Sequence, residues 1–379
     1  MSASEFDAGL SVEPEDQIVQ AELYEARKKR RTGRARIIGI VASVLVVGGV
    51  FVFALPRIAG YGEVWDVVKT LSWEWVVALV LAVLLNLATY GPPLVAALPG
   101  ISYFRATRVT LASTALSSVA PGGAAVGMAT SFAMLRAWGF EGRRAGLAVA
   151  VQSVWNQFVI LGFPILAVAG LAAQGGSNRT LELVAVIGLA AFAAIVVGFA
   201  IGLSSARLAR RIGDRGARLA SRAKALIHKA PVKWNGATFV RFRGEAIELI
   251  RRRWLSLTAA TLAGHLTVFL VLVASVRAVG VPPAEVTIVE AFAAWTLARI
   301  LGSIPITPGG VGFVELGLTG VLVAFGANDA DAVAATLIYR FLTVVPTLVA
   351  GLIATATWKL GHRPATDRGA PARSPPRSG

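Results

Sequence analysis

Residues 308–326 read PGGVGFVELGLTGVLVAFG, and residues 121–139, at an offset of 187, read PGGAAVGMATSFAMLRAWG. Each segment runs 19 residues from Pro to Gly and interrupts an otherwise apolar region near its middle, 107–138 in the first case and 287–326 in the second. Proline lacks the amide proton that a helix interior needs, and paired glycines weaken what remains, so each region is expected to form a broken helical hairpin. The same offset carries the apolar stretch 146–172 onto 333–359, where the last stretch, 332–358, lies. It also carries 74–98 onto 261–285, overlapping 254–278. Two copies of one unit (span, hairpin, span) are therefore expected.

Composition says what surrounds these units. The chain has 379 residues, 55% hydrophobic and 15% charged, with a mean hydropathy of +0.67. Soluble domains carry about 25% charged residues, so this is the composition of a membrane protein. Six stretches are long enough to cross a hydrocarbon core of about 30 Å as helices: 37–55, 74–98, 146–172, 181–203, 254–278 and 332–358. The expected fold class is an all-α polytopic membrane protein with about six full spans plus two re-entrant or broken helical hairpins in an inverted-topology repeat. Seven acids precede Arg27 and no small-residue cleavage site follows the first stretch, so 37–55 reads as a retained anchor rather than a signal peptide. Residues 1–36, acidic then basic, and 359–379, rich in Pro, Arg and Ser, are expected to be disordered flanks of a domain over 37–358.

The formal charge of +16 has to sit outside the hydrocarbon. Of 37 Lys and Arg, 31 fall in 27–36, 99–108, 136–144, 204–253 and 359–379. The positive-inside rule places these segments and both termini in the cytoplasm, with the spans in the cell (inner) membrane. That orientation closes if each broken region returns to the side it entered from, or if it crosses twice. As helices, the halves 107–120 and 311–326 would be roughly 21 and 24 Å long, short of the core but close to it. Returning hairpins fit the Pro-Gly-Gly breaks, which are tolerated at membrane depth when buried in protein or facing a wet cavity. The first hairpin then enters from the cytoplasm and the second from outside, an inverted repeat of the kind many secondary transporters use.

The basic loop 204–253 is patterned as well. Leu208, Ile212, Leu219, Ala223 and Leu226 fall near one face of a helix whose other face carries Arg207, Arg210, Arg211, Arg215, Arg218, Arg222 and Lys224. Such a loop sets topology by its charge, or lies on an anionic lipid surface. No recognition motif or aromatic interleaving accompanies the charge, so no nucleic-acid partner is expected. With Cys 0 there is no disulfide framework and no thiolate chemistry. The three histidines, His228, His265 and His362, are too scattered for a metal motif. GxxxxGK[ST], HExxH and GxSxG are absent, and neither a catalytic set nor a cofactor is expected.

What remains is polar chemistry in apolar surroundings. Glu290, Arg299, Glu315 and Arg340 lie around the second hairpin and the last stretch. Asn86 and Tyr90 lie in the second stretch, and Gln152, Asn156 and Gln157 in the third. An ionised side chain near the bilayer centre costs roughly 2.5 to 3.5 kcal/mol, so these charges should pair with one another or with a ligand. Glu315 and Arg340 can reach each other, either as a structural ion pair or as part of a site. Arg299 has no charge partner at helical spacing and is the better candidate for an anionic ligand. His265 is expected to be packed or hydrogen-bonded rather than a proton carrier. Asn86, Gln152 and Asn156 are expected to line a polar cavity. The amides after Pro121-Gly122-Gly123 and after Pro308-Gly309-Gly310 open helices whose positive ends suit a phosphate.

The stretch IPITPGGVGFVELGLTGVLVAFG, followed by IYRFLTVVPTLVAG, resembles the lysylphosphatidylglycerol synthase transmembrane-region family, the flippase-like half of the multiple peptide resistance factor and its stand-alone relatives. The likeness covers roughly residues 40 to 358. It is carried by Pro308, Gly309, Gly310, Gly312, Glu315, Tyr339 and Arg340, and more weakly by Pro121, Gly122, Gly123, Arg136 and Gly139. VWNQF, Val154 to Phe158, is similar to an actinobacterial form. Many relatives carry an acid shortly after the first glycines, where this chain has Ala124, Ala125 and Val126, so no role for that acid transfers. No aminoacyl-transferase domain like that of two-domain members is expected. The resemblance implies movement of an anionic lipid between leaflets, the lipid being a modified phospholipid or a polyprenyl-phosphate-linked sugar; its expected phosphate site is Pro121, Gly122, Gly123, Arg136, Arg299, Pro308, Gly309, Gly310, Gly312, Glu315, Tyr339 and Arg340. Alternatives are a membrane-embedded lipid-modifying enzyme, for which only Glu290 and Glu315 are on offer, and a non-transporting scaffold for an envelope glycosyltransferase.

Overall fold

The computed structural model describes residues 61–361 except 121–122, 177–178, 226–231, 233–234 and 304–309. The first apolar stretch, residues 1–36 and 362–379, and Pro121, Gly122, Pro308 and Gly309 lie outside the described residues. Within them the chain is helical, with no strand. Helices α1 (Tyr61–Lys69), α2 (Trp73–Ala88) and α3 (Pro92–Ala97) lead into a hairpin of α4 (Tyr103–Val119) and α5 (Gly123–Ala137). Then follow α6 (Gly142–Leu171), which ends in a π-helical turn, α7 (Arg179–Ser204), α8 (Ala206–Ala225) and α9 (Gly236–Ala278). A second hairpin, α10 (Ile288–Ser303) and α11 (Phe313–Phe325), precedes α12 (Asp329–Gly361).

Four segments are long and apolar enough to cross a membrane: Trp73–Ala97, Gly142–Gln174, Gly236–Ala278 and Asp329–Trp358. A fifth is reached if α7 and α8 count as one bent span. These correspond to five of the six expected stretches; the sixth, 37–55, lies outside the described residues. Val80, Leu81, Leu84 and Leu85 on α2, Val186, Ile187 and Val197 on α7, and Val349, Leu352 and Ile353 on α12 are exposed. Apolar side chains in such number, facing outward along long helices, suit lipid rather than water.

Two stretches are more broken, or longer, than their apolar runs suggest. The second stretch divides at Gly91-Pro92-Pro93. Pro92 cannot donate to the carbonyl four residues back, that of Ala88, and the hydroxyl of Tyr103 donates to it instead over 2.6 Å. The span expected at 254–278 is the second half of α9, which is 43 residues long. Residues 236–253 of the basic loop are therefore helix continuing into the span, capped at its start by the Asn235 side chain accepting from the Thr238 amide. Residues 206–225 of the loop form α8. It meets α7 at an angle of 87° and packs its small face on α9, where Gly213 abuts Gly236 and Phe239.

Contacts divide the molecule into two ends. At one end Arg143 pairs with Glu245, Arg144 donates to the Pro99 carbonyl, and Arg243 donates to that of Ser204. At the other, Thr287 bonds Gln174, and Gly326 sits against the Glu285 carbonyl. Each hairpin has its own core: Met134, Leu135, Val109 and Leu94 around the first, Trp295, Leu318, Val314 and Tyr339 around the second.

The hairpins exchange partners. α4 packs on α12, and α10 packs on α6. The first of these contacts is so close that a side chain at Gly351 would collide with the Leu111 carbonyl and the Ala115 methyl. Small residues at such crossings let helix backbones meet. The offset of 187 also recurs in the helix ends: α6 begins at Gly142 and α12 at Asp329. Gly139 (φ 87°) and Gly326 (φ 119°) close α5 and α11 in left-handed conformations open to glycine. In both, the glycine amide bonds the carbonyl three residues back, and the next amide, of Phe140 or Ala327, bonds the carbonyl five back, that of Leu135 or Leu322. The two copies stop their second helix with the same Schellman cap.

Candidate functional site

Between the first hairpin, α6 and α9 lies a cavity of about 620 Å³. Its walls set polar side chains among apolar ones such as Pro93, Met128, Val149 and Val268. Thr110, Ser113, Thr114, Ser117 and Ser118 come from α4, and Ser131 from α5. Gln152, Ser153, Asn156 and Gln157 come from α6, Thr261 and His265 from α9, Asn86 from α2, and Thr89 and Tyr90 from the break beyond it. The second hairpin contributes Arg299.

Arg299 is held from one side. One terminal guanidinium nitrogen donates to Nδ1 of His265 over 3.2 Å, and the group lies 5.9 Å from the Trp295 ring. Arginine only donates, so Nδ1 must accept, and the imidazole proton sits on Nε2, 3.0 Å from Oδ1 of Asn156. His265 is thus a neutral spacer fixed between α6 and α10. The Arg299 Nε remains buried with no hydrogen-bond partner among the described residues. A buried charged donor left open in this way is costly, and the guanidinium belongs to a residue that lines the cavity, where an anion would balance its charge.

A polar seam continues from the cavity. Asn86 donates to the Thr267 hydroxyl over 3.1 Å, Thr89 bonds the same hydroxyl at 3.0 Å, and the Tyr90 hydroxyl lies 3.1 Å from that of Thr347 on α12. Several cavity hydroxyls spend their protons within their own helices. Thr110 donates to Ala106, Ser113 to Thr110, Ser118 to Thr114 and Ser153 to Val149. Their oxygen lone pairs are what the cavity sees.

The residues expected to form the site fall into two groups. Asn86, Gln152, Asn156 and Arg299 line the cavity together, and Gly123 opens α5 beside Ala124, which also lines it. Glu315, Tyr339, Arg340, Gly310 and Gly312 gather at the second hairpin, outside the lining residues. There Arg340 Nε donates to Glu315 Oε1 over 2.7 Å, and the Gly312 amide donates to Oε2 over 2.6 Å. Glu315 is 2% exposed, and its two oxygens serve an ion pair and a helix cap. Gly312 has φ 94°, where a side chain would be strained. Tyr339 is buried against the same core as Trp295. Arg136 is exposed at the end of α5 and donates to the Phe140 carbonyl over 2.8 Å.

The other acid available to an enzyme, Glu290, is a helix cap. Its Oε2 accepts from the amide and the hydroxyl of Thr287, and that hydroxyl accepts in return from the Glu290 amide. Among the described residues no group of three or more His, Asp or Glu is placed to hold a metal. Two features are visible only in the structure. His265 is packed and hydrogen-bonded, as expected, and one of its partners is Arg299. The hydroxyl face of α4, where Thr110, Ser113, Thr114, Ser117 and Ser118 recur at helical spacing, lines the cavity.

Long apolar helices around two hairpins, with a cavity beside the first, define a multi-pass membrane protein. The chain belongs to the lysylphosphatidylglycerol synthase TM region family, whose sequence pattern it matches over residues 40–351. No curated protein matches it.

Proposed function

We propose that this protein carries an anionic lipid between the leaflets of the cell membrane, the headgroup passing through the cavity while the acyl chains stay in the bilayer. The observation that carries the proposal is Arg299, which lines the cavity, is held on one side by the neutral His265 and has no carboxylate partner among the described residues. The family supports a role connected with membrane lipid. Both carboxylates that an enzyme would call on are committed to helix caps, which favours transport over catalysis.

The two units form an inverted-topology repeat in this proposal. The offset of 187 between the starts of α6 and α12, the paired Schellman caps and the exchanged packing of the hairpins support it. Counting from ideal geometry, α4 and α11 are roughly 26 and 20 Å long, short of a full crossing, which favours hairpins that return. The basic end, with Arg143, Arg144 and Arg243, faces the cytoplasm with both termini, and α8 then lies along that surface with six exposed arginines. Alternating exposure of the Arg299 site, by rocking of the hairpins against α6 and α12, would complete the cycle.

Reconstitution into liposomes with fluorescent phosphatidylglycerol tests this. Protein-dependent access of an external quencher to inner-leaflet lipid, with the lipid chemically unchanged, is expected. Access equal to that in protein-free liposomes would refute transport, and a new lipid species would point to an enzyme.

A further inference from the structure

Resting on that reading of the cavity, we infer that its headgroup is uncharged and rich in hydroxyls, a sugar or polyol attached to the lipid phosphate, and that a cationic aminoacylated headgroup is excluded. The inference comes from the balance of charge and of hydrogen-bonding groups in the walls. Arg299 is the one formally charged side chain among the described lining residues; Asp and Glu do not occur there. One phosphate brings the cavity to neutrality. A lysyl headgroup would add two ammonium groups to the same space and leave it two charges in excess, with no carboxylate among the described lining residues to meet them.

The hydrogen-bond inventory points the same way. Ser113, Ser118 and Ser153 donate to carbonyls of their own helices and present lone pairs to the cavity. Gln152 and Gln157 add amides that both donate and accept. Such walls match a ring of hydroxyl groups, which need acceptors for their protons and donors for their oxygens. The volume of about 620 Å³ lies in the usual range for small-ligand sites and suits a headgroup rather than a whole lipid.

Binding to the purified full-length protein tests this apart from transport, read as the shift in melting temperature with water-soluble short-chain lipids. Phosphatidylinositol and a polyprenyl-phosphate hexose stand for the two possible carriers of the shared phosphate–polyol chemistry, and lysyl-phosphatidylglycerol is the cationic probe. At least one of the first two should bind roughly tenfold or more tightly than the third. Ala124→Glu, which adds a carboxylate to the wall, should narrow that gap while leaving the melting temperature without lipid close to wild type. Equal binding of lysyl-phosphatidylglycerol and phosphatidylinositol would overturn the inference and leave the transport proposal standing. Stabilisation by none of the three would remove the cavity as a lipid site, and both readings with it.

Discussion

The Arg299 guanidinium donates to Nδ1 of His265 over 3.2 Å, joining α10 of the second hairpin to α9 inside the cavity. That bond, continued from Nε2 to Asn156 on α6, fixes the direction of the cavity's positive charge through three helices. Most of the consequences that can be tested follow from this alignment or from the hairpins that bring it about.

His265→Leu removes the acceptor for Arg299 and the donor to Asn156 together. It leaves two buried polar groups short of a partner, so a loss of about 1 to 3 kcal/mol of stability is expected, read from thermal or denaturant unfolding. Arg299→Gln should be milder for folding, because it removes a charge the protein does not itself satisfy. It should abolish preference for anionic over zwitterionic lipid in the liposome assay. A variant that folds and keeps that preference would separate Arg299 from headgroup recognition.

Glu315 and Arg340 form a buried pair, with side chains 3% and 15% exposed. Glu315→Gln alone should cost about 3 to 5 kcal/mol, since it leaves the arginine's charge facing a neutral amide. Combining it with Arg340→Gln should cost less than the sum of the two single changes. The charge-reversed pair should recover little, because an arginine at 315 cannot accept from the Gly312 amide as the glutamate does. Additive single and double variants would show that the pair contributes no coupling energy.

Gly351 lies where α12 crosses α4 backbone to backbone. Gly351→Val forces the first hairpin away, and a loss of about 1 to 3 kcal/mol is expected from overpacking alone. Gly320 faces open space on α11, so Gly320→Ala should leave the melting temperature almost unchanged and serves as the matched control.

The helical pattern, both breaks and the Glu315 and Arg340 pair were legible in the sequence, because hydropathy and Pro-Gly-Gly act locally and buried charges must find each other. The break at Gly91-Pro92-Pro93 was also visible as residues, but the Tyr103 hydroxyl that repairs it comes from the next helix. The cavity was only half legible. Asn86, Gln152, Asn156 and Arg299 stood out as polar groups in apolar runs. The serines and threonines of α4 did not, since a hydroxyl bonded to its own helix costs little in a membrane and carries no mark of which way it faces. His265 could not be joined to Arg299 from sequence, because 34 residues and a change of helix separate them.

Orientation can be read with single cysteines, since the chain has none of its own. Arg222→Cys, exposed on α8, should resist a membrane-impermeant thiol reagent in intact cells and react once the membrane is opened. Asn328→Cys, exposed before α12, should react in intact cells. The opposite pattern would invert the molecule.

Passage of the lipid headgroup through this cavity is tested most directly by plugging it. Ser131→Cys places one thiol in the cavity wall on α5, and a bulky maleimide can then fill the space in liposomes already shown to move fluorescent phosphatidylglycerol. Lipid movement near the wild-type rate before modification, falling to that of protein-free liposomes in proportion to the fraction labelled, is the expected result. Full labelling with movement undiminished would mean that the lipid crosses elsewhere.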